Sequence, residues 1–222
     1  AFEADGSAKG MSITVGLDGL PWLVAADGSI YRKNATAWQK LSGKGLDIAA
    51  GADGSVWLTG WPGDPVDFPT LNGAIYQWNG TAWSPVGGAA RRISVDPTGA
   101  AWIVSGDGDI FRRSGNAWVK LPGRGSDIAC GADGSVWLTG YVPGGLSNRP
   151  VYRWNGSNWE QQTGSAIRLA TGPDGLPWVA ASNGDLYRMH QLQTPQLGGS
   201  QTGHSAGVFQ VSVPTQSGVS YS

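Results

Sequence analysis

The residues of this chain with chemistry to offer are aromatic rings beside planar polar groups. Trp61, Asp67 and Asn72 crowd into one glycine- and proline-rich stretch, and Tyr141, Asn148 and Arg149 into another 80 residues later. Trp78-Asn79 and Trp154-Asn155 follow the two stretches in turn. A sugar ring presents a C–H face that stacks on an indole or phenol, and hydroxyls that need amides, carboxylates or guanidinium groups in the same plane. These ten residues are therefore the candidate ligand-binding set.

Covalent and metal chemistry finds less support. The two histidines, His190 and His204, both lie near the C-terminal end. No H-x-H, HExxH or C-x-x-C spacing occurs. Gly-x-Asp-Gly at 16–19, 51–54, 131–134 and 172–175 brings one carboxylate per loop, whereas a calcium site needs several oxygen ligands. Asp-Gly is instead a favoured hairpin turn, because both positions tolerate positive φ. Gly106-Asp-Gly-Asp109 reads as another hairpin, because no helix follows to hold a phosphate. Cys130 is the single cysteine; its counterpart in the matching segment is Ala50, so it reads as a small core residue. The expectation is a non-enzymatic protein without metal or cofactor.

The elements that must carry the aromatic set repeat along the chain. The decapeptide GADGSVWLTG occurs at 51–60 and again, unchanged, at 131–140. Around it runs a longer pattern. Trp38-Gln-Lys-Leu41, Trp83-Ser-Pro-Val86, Trp118-Val-Lys-Leu121 and, more weakly, Trp159-Glu-Gln-Gln162 each precede small residues and a short apolar strand. Those strands begin at Ile13, Ile48, Ile93, Ile128 and Leu169. A glycine turn follows, then a strand bearing Trp22, Trp57, Trp102, Trp137 or Trp178, then Ile30-Tyr-Arg32 and its four relatives. Nothing between them has a helical period. Five repeats of about 40 residues, each with four short strands, predict an all-β chain of propeller blades. The second-strand tryptophans are expected to wedge between blades, and those at 38, 83, 118 and 159 to sit nearer the rim. Repeats two and four carry extra length between second and third strands, at 60–73 and 140–149.

The pattern W-x-x-L, then I-x-x-G-x-D-G-x-x-W, then I-Y-R resembles the tectonin repeat of tachylectin-type and fish-egg lectins and of fungal and slime-mould tectonins. The resemblance covers Phe2 to about Arg188. It implies a propeller, usually six-bladed, that binds surface glycans, microbial polysaccharide or lipopolysaccharide. The second strand departs from the family's usual V-W-G-V-N ending; here it reads VWLTG, PWLVA, AWIVS or PWVAA.

The whole of 1–222 is expected to form a single propeller domain, with five clear repeats over about 2–188. Residues 189–222 read as a degenerate sixth blade or, alternatively, as a tail docked on five blades. Thr194-Pro-Gln-Leu197 echoes Trp83-Ser-Pro-Val86, and Val211-Ser-Val213 echoes Ile93-Ser-Val95. The Phe2 segment is expected to supply the last outer strand and close the ring. One strand would still be lacking, which makes self-association through the tail the second expected partnership. A net charge of −1 gives no pull toward nucleic acid. No apolar run is long enough to span a bilayer. Ala1 in place of Met reads as a processed or trimmed terminus, and the expected location is extracellular. Asn34-Ala-Thr, Asn79-Gly-Thr and Asn155-Gly-Ser match glycosylation acceptors, although turn geometry alone accounts for them. The alternative to a lectin is a structural subunit of an extracellular filament or surface layer.

Overall fold

The computed structural model describes residues 9–62, 72–143 and 147–190. The Phe2 segment, Asp67 and residues 191–222 of the stretch read as a degenerate blade lie outside them. The described residues fold into seventeen antiparallel strands with no helix. Short β-branched and tryptophan-bearing runs between glycine turns leave the chain no other regular option.

The strands group into blades around a channel. The first unit holds β1 (Gly10–Val15), β2 (Pro21–Ala25), β3 (Ser29–Lys33) and the start of β4 (Trp38–Ala50). The rest of β4 begins the second, with β5 (Val56–Gly60), β6 (Gly73–Trp78) and β7 (Trp83–Ala90). The third takes β8 (Arg92–Val95), β9 (Ala101–Val104), β10 (Asp109–Ser114) and the start of β11 (Ala117–Cys130). The fourth takes the end of β11, β12 (Val136–Gly140), β13 (Arg149–Trp154) and β14 (Trp159–Ala166). Three strands form the fifth: β15 (Arg168–Thr171), β16 (Pro177–Ala180) and β17 (Leu186–Arg188).

β4 and β11 each serve two blades. Lys44 still pairs with β3 while Gly45 already pairs with β5, and Arg124 and Gly125 make the same switch. A Cβ on Gly45 would run into the Leu58 side chain, so only glycine lets the strand pass so close.

The Gly-x-Asp-Gly turns use that tolerance at one position. Only the final glycine has positive φ, +85° at Gly54 and +84° at Gly134, and no non-glycine residue among those described does. The aspartate works through its side chain: Asp53 Oδ1 accepts the Ser55 N–H at 3.0 Å, and Asp133 does the same for Ser135. Aspartate keeps an ordinary backbone because its carboxylate already satisfies the turn.

Four apolar clusters fill the four junctions between successive blades. Trp22, Trp57, Trp102 and Trp137 sit at their centres, each 2–3% exposed. The rim tryptophans lock the same junctions. Trp57 meets Trp118 edge-on at 6.4 Å, and the Trp118 indole N–H donates to the Gly87 carbonyl at 3.0 Å. Trp159 donates likewise to Pro122 at 2.9 Å. The inner strands are stitched to one another by side chains: the Ala50 N–H donates to Thr14 Oγ1 (3.0 Å) and the Cys130 N–H to Ser94 Oγ (2.9 Å).

Trp178 breaks the pattern. It is 46% exposed, as are Ile13 (63%) and Leu186 (67%). These side chains belong to the first and fifth units, and no described cluster or strand pairing joins those two.

Asp96 holds the turn of the third blade. Burial pushes its carboxyl up, but hydrogen bonds from Thr98, Trp102 and Arg112 outweigh this and hold it below the ordinary carboxylate range. The Trp102 and Arg112 bonds measure 3.0 and 2.9 Å. A depressed folded-state value stabilises the fold above about pH 4 and loses that contribution as pH falls through it. Asp96→Asn should cost about 1–3 kcal/mol at neutral pH and progressively less below about pH 4, read by urea unfolding across pH. Equal cost at all pH would contradict this. Trp57→Ala should cost about 3–5 kcal/mol in the same assay.

Candidate functional site

One face of the channel collects the insertions. The hairpins between second and third strands, and the crossovers into each new blade, lie at the same end, where Gly45 N–H donates to Gly28 O and Gly125 N–H to Gly108 O. This end is the upper face.

Trp61 lies on the hairpin of the preceding blade. Its ring covers Gly28, where a Cβ would come within 2.7 Å of it. The Lys44 ammonium is 5.8 Å from the ring centroid. Tyr141 repeats the arrangement over Gly108, with the Arg124 guanidinium stacked 4.2 Å from its centroid. Arg124 also donates to the Asp107 carbonyl. Both rings are half-buried, and both cations are exposed.

The far end of each insertion reaches the following blade. Asn72 Oδ1 accepts the Gly106 N–H at 2.6 Å, and Asn148 Oδ1 accepts the Ser182 N–H at 2.7 Å. Each insertion is thus fixed at two points, an aromatic behind and an asparagine ahead. Arg149, beside Asn148, is buried at the start of β13.

The other candidates fall elsewhere. Trp78 meets Trp22 at 5.5 Å and Trp83 at 5.1 Å, inside the first junction. Trp154 meets Trp102 at 6.0 Å and Trp159 at 5.0 Å, inside the third. Asn79 and Asn155 sit in turns at the opposite end. Asn79 Oδ1 accepts the N–H groups of Thr81 and Ala82, and Asn155 Oδ1 those of Ser157 and Asn158. Asn34, the third glycosylation-type asparagine, holds its turn in the same way. The structure therefore gathers Trp61, Asn72, Tyr141, Asn148 and Arg149 on the upper face and separates the tryptophan–asparagine pairs from them.

Sequence reasoning passed over the polar ring at the channel mouth. Ser12, Asp47, Arg92, Asp127 and Arg168 each stand just before the apolar residue that aligned the repeats. From the second blade onward they alternate acid and base. Together with neighbouring backbone they line a cavity of about 260 Å³. Asp47 accepts the Ser12 hydroxyl at 2.6 Å and the Ile93 N–H at 3.1 Å. Asp127 accepts the Leu169 N–H at 2.9 Å. Arg92 lies between them, 3.9 Å from Asp47 and 3.6 Å from Asp127, and Arg168 is 3.8 Å from Asp127.

Burial pushes the Asp127 carboxyl above its ordinary value, and Arg92 and Arg168 only partly pull it back. Burial, then the charges of Arg92, Arg168 and Arg149, bring Arg91 down to about 10. The opposite end of the channel is a small-residue cavity of about 210 Å³ that includes Cys130. That thiol shows some surface yet is hemmed in by protein, and burial pushes it up to about 12. It is protonated at neutral pH, as a core residue would be.

The tectonin domain profile matches residues 69–140, from the insertion of the second blade through β12. Over that stretch the chain is similar to the tectonin domain. No curated protein matches its sequence. Among solved structures, the chain is similar to YCF48 bound to a D1 peptide, at 16% identity and TM-score 0.53, over 83% of this chain. It spans 64% of that protein, less than two thirds of its length. A PQQ-bound aldose sugar dehydrogenase from Streptomyces coelicolor matches at 13% identity and TM-score 0.52, covering 82% of this chain and 77% of that one. A protein described as a putative oxidoreductase (glucose dehydrogenase) from Thermus thermophilus matches at 14% identity and TM-score 0.60, covering 94% of this chain and 86% of that one. At these identities the likeness is one of fold: an all-β, propeller-like architecture.

The insertions' anchors can be tested singly. Asn148→Ala should cost about 1 kcal/mol by orphaning the Ser182 N–H. Hydrogen exchange should quicken at the Ser182 amide and stay unchanged at Gly106; unchanged exchange at Ser182 would contradict the anchor.

Proposed function

We propose that this protein is a secreted, non-enzymatic binding propeller whose upper face recognises anionic surface glycans, such as acidic microbial polysaccharide or lipopolysaccharide. The observation that carries the reading is the Tyr141–Arg124 stack and its counterpart, Trp61 with Lys44. Each sets an aromatic ring, for apolar contact with a sugar, beside an exposed cation for its carboxylate or phosphate. The two stand a blade pair apart on one face. A repeating polymer engages both at once, and the second contact is then intramolecular. The resemblance to glycan-binding tectonins supports the same reading.

A second property rests on the exposed walls of the first and fifth units. Met11, Ile13 and Val15 of β1 face away from any described blade, and so do Trp178 and Leu186. Eight residues precede Lys9 and 32 follow His190, about one repeat in total. We infer that these termini fill the slot as a sixth blade and close the ring. In the full chain, Trp178→Ala should then cost as much as Trp57→Ala, about 3–5 kcal/mol by urea unfolding. A cost under about 1 kcal/mol would favour five blades, with the walls left for assembly contacts.

The glycan reading is tested on an array of acidic and neutral polysaccharides. The full chain should bind acidic members. The double variant Lys44→Ala, Arg124→Ala should weaken that binding at least tenfold with an unchanged melting temperature. A blank array, or binding indifferent to the double variant, would reject the reading.

A further inference from the structure

We propose that the upper mouth of the channel is a separate binding site for a single small oxyanion, a phosphate or carboxylate group, held by Arg92 and Arg168. Backbone groups hold the two carboxylates of the mouth. Asp47 and Asp127 each turn an oxygen to the backbone N–H of the next blade's inner strand, at 3.1 and 2.9 Å. That bond fixes them in place. Neither can then close on the guanidinium between them, and the resulting ion pairs are 3.6 to 3.9 Å long. Charge-assisted hydrogen bonds normally run at about 2.7–2.9 Å.

Arg92 is nine-tenths buried, and its Nε has no hydrogen-bond partner. A buried donor left unpaired is costly, and a guanidinium more so than a neutral group. It faces the cavity of about 260 Å³, whose lining also includes Arg168 and both aspartates. That volume suits an acid group on a small molecule and is too small for a folded partner.

An oxyanion would accept the hydrogen bond that the fixed carboxylates leave open at Arg92. The fork geometry of guanidinium suits phosphate and carboxylate alike.

The experiment uses the full chain in a buffer free of phosphate, with calorimetry and thermal unfolding as readouts. The probes are inorganic phosphate, glucuronate and glucose. Phosphate should bind one per chain and raise the melting temperature, and glucose should do neither. Arg168→Gln sits half-exposed at the mouth; it should weaken phosphate binding at least tenfold in a chain that still unfolds cooperatively. Arg113→Gln, at the rim beside Trp118, is the control and should bind as the parent does. If glucuronate competes with phosphate, the site takes acid groups borne by sugars. If phosphate alone binds, it takes the free anion. No heat and no thermal shift with either acid, or parental binding by Arg168→Gln, would overturn the proposal.

Discussion

An indole wedged between one blade and the next is the contact on which the rest of this structure depends. A blade of four short strands has two apolar faces and cannot bury either alone. Trp22, Trp57, Trp102 and Trp137 each fill one junction, and rim tryptophans close three of the four from outside. The wedge sets the spacing of neighbouring sheets. Tight spacing then demands glycine where β4 and β11 cross between blades, because Leu58 and Leu138 stand where a Cβ would go. The succession of inner strands follows from the same spacing, close enough for Thr14 and Ser94 to hold the next strand's backbone.

Such a frame leaves its two ends free to differ. The lower end is lined with small residues and turns. The upper end receives both insertions and every charged residue of the inner ring. Its polarity has a two-blade period: Asp47 and Asp127 belong to the blades that carry GADGSVWLTG, and Arg92 and Arg168 to the blades after them. The duplicated decapeptide is therefore more than a repeated strand. It marks a pair of blades in which the acid–base alternation and an insertion recur together.

Much of this was legible in the residues. The tryptophan spacing and the Ile-Tyr-Arg strands place the blades correctly, because period-two burial and turn glycine act locally. The interblade role of Trp22 and its relatives follows from the same repetition. Other features escaped for identifiable reasons. Trp78 and Trp154 look like ligand residues because they replace Lys33, Arg113 and Met189, yet they pack against tryptophans of a neighbouring blade, which chain position does not reveal. Asn79 and Asn155 adjoin them in sequence but turn their oxygens into their own hairpins. The channel ring was in view all along, one residue before each aligning isoleucine. Its members differ in type and in charge, so a search for repeated identity passes over them.

The account's central claim is that ligand meets the upper face. The most direct measurement is a residue-resolved hydrogen-exchange map of the full chain, with and without an acidic polysaccharide that it binds. Protection is expected at the hairpins around Gly28 and Gly108, at Trp61 and Tyr141, and at the first residues of β8 and β15. Protection confined to the opposite end, around Ala52, Pro97, Ala132 and Pro173, would contradict the account.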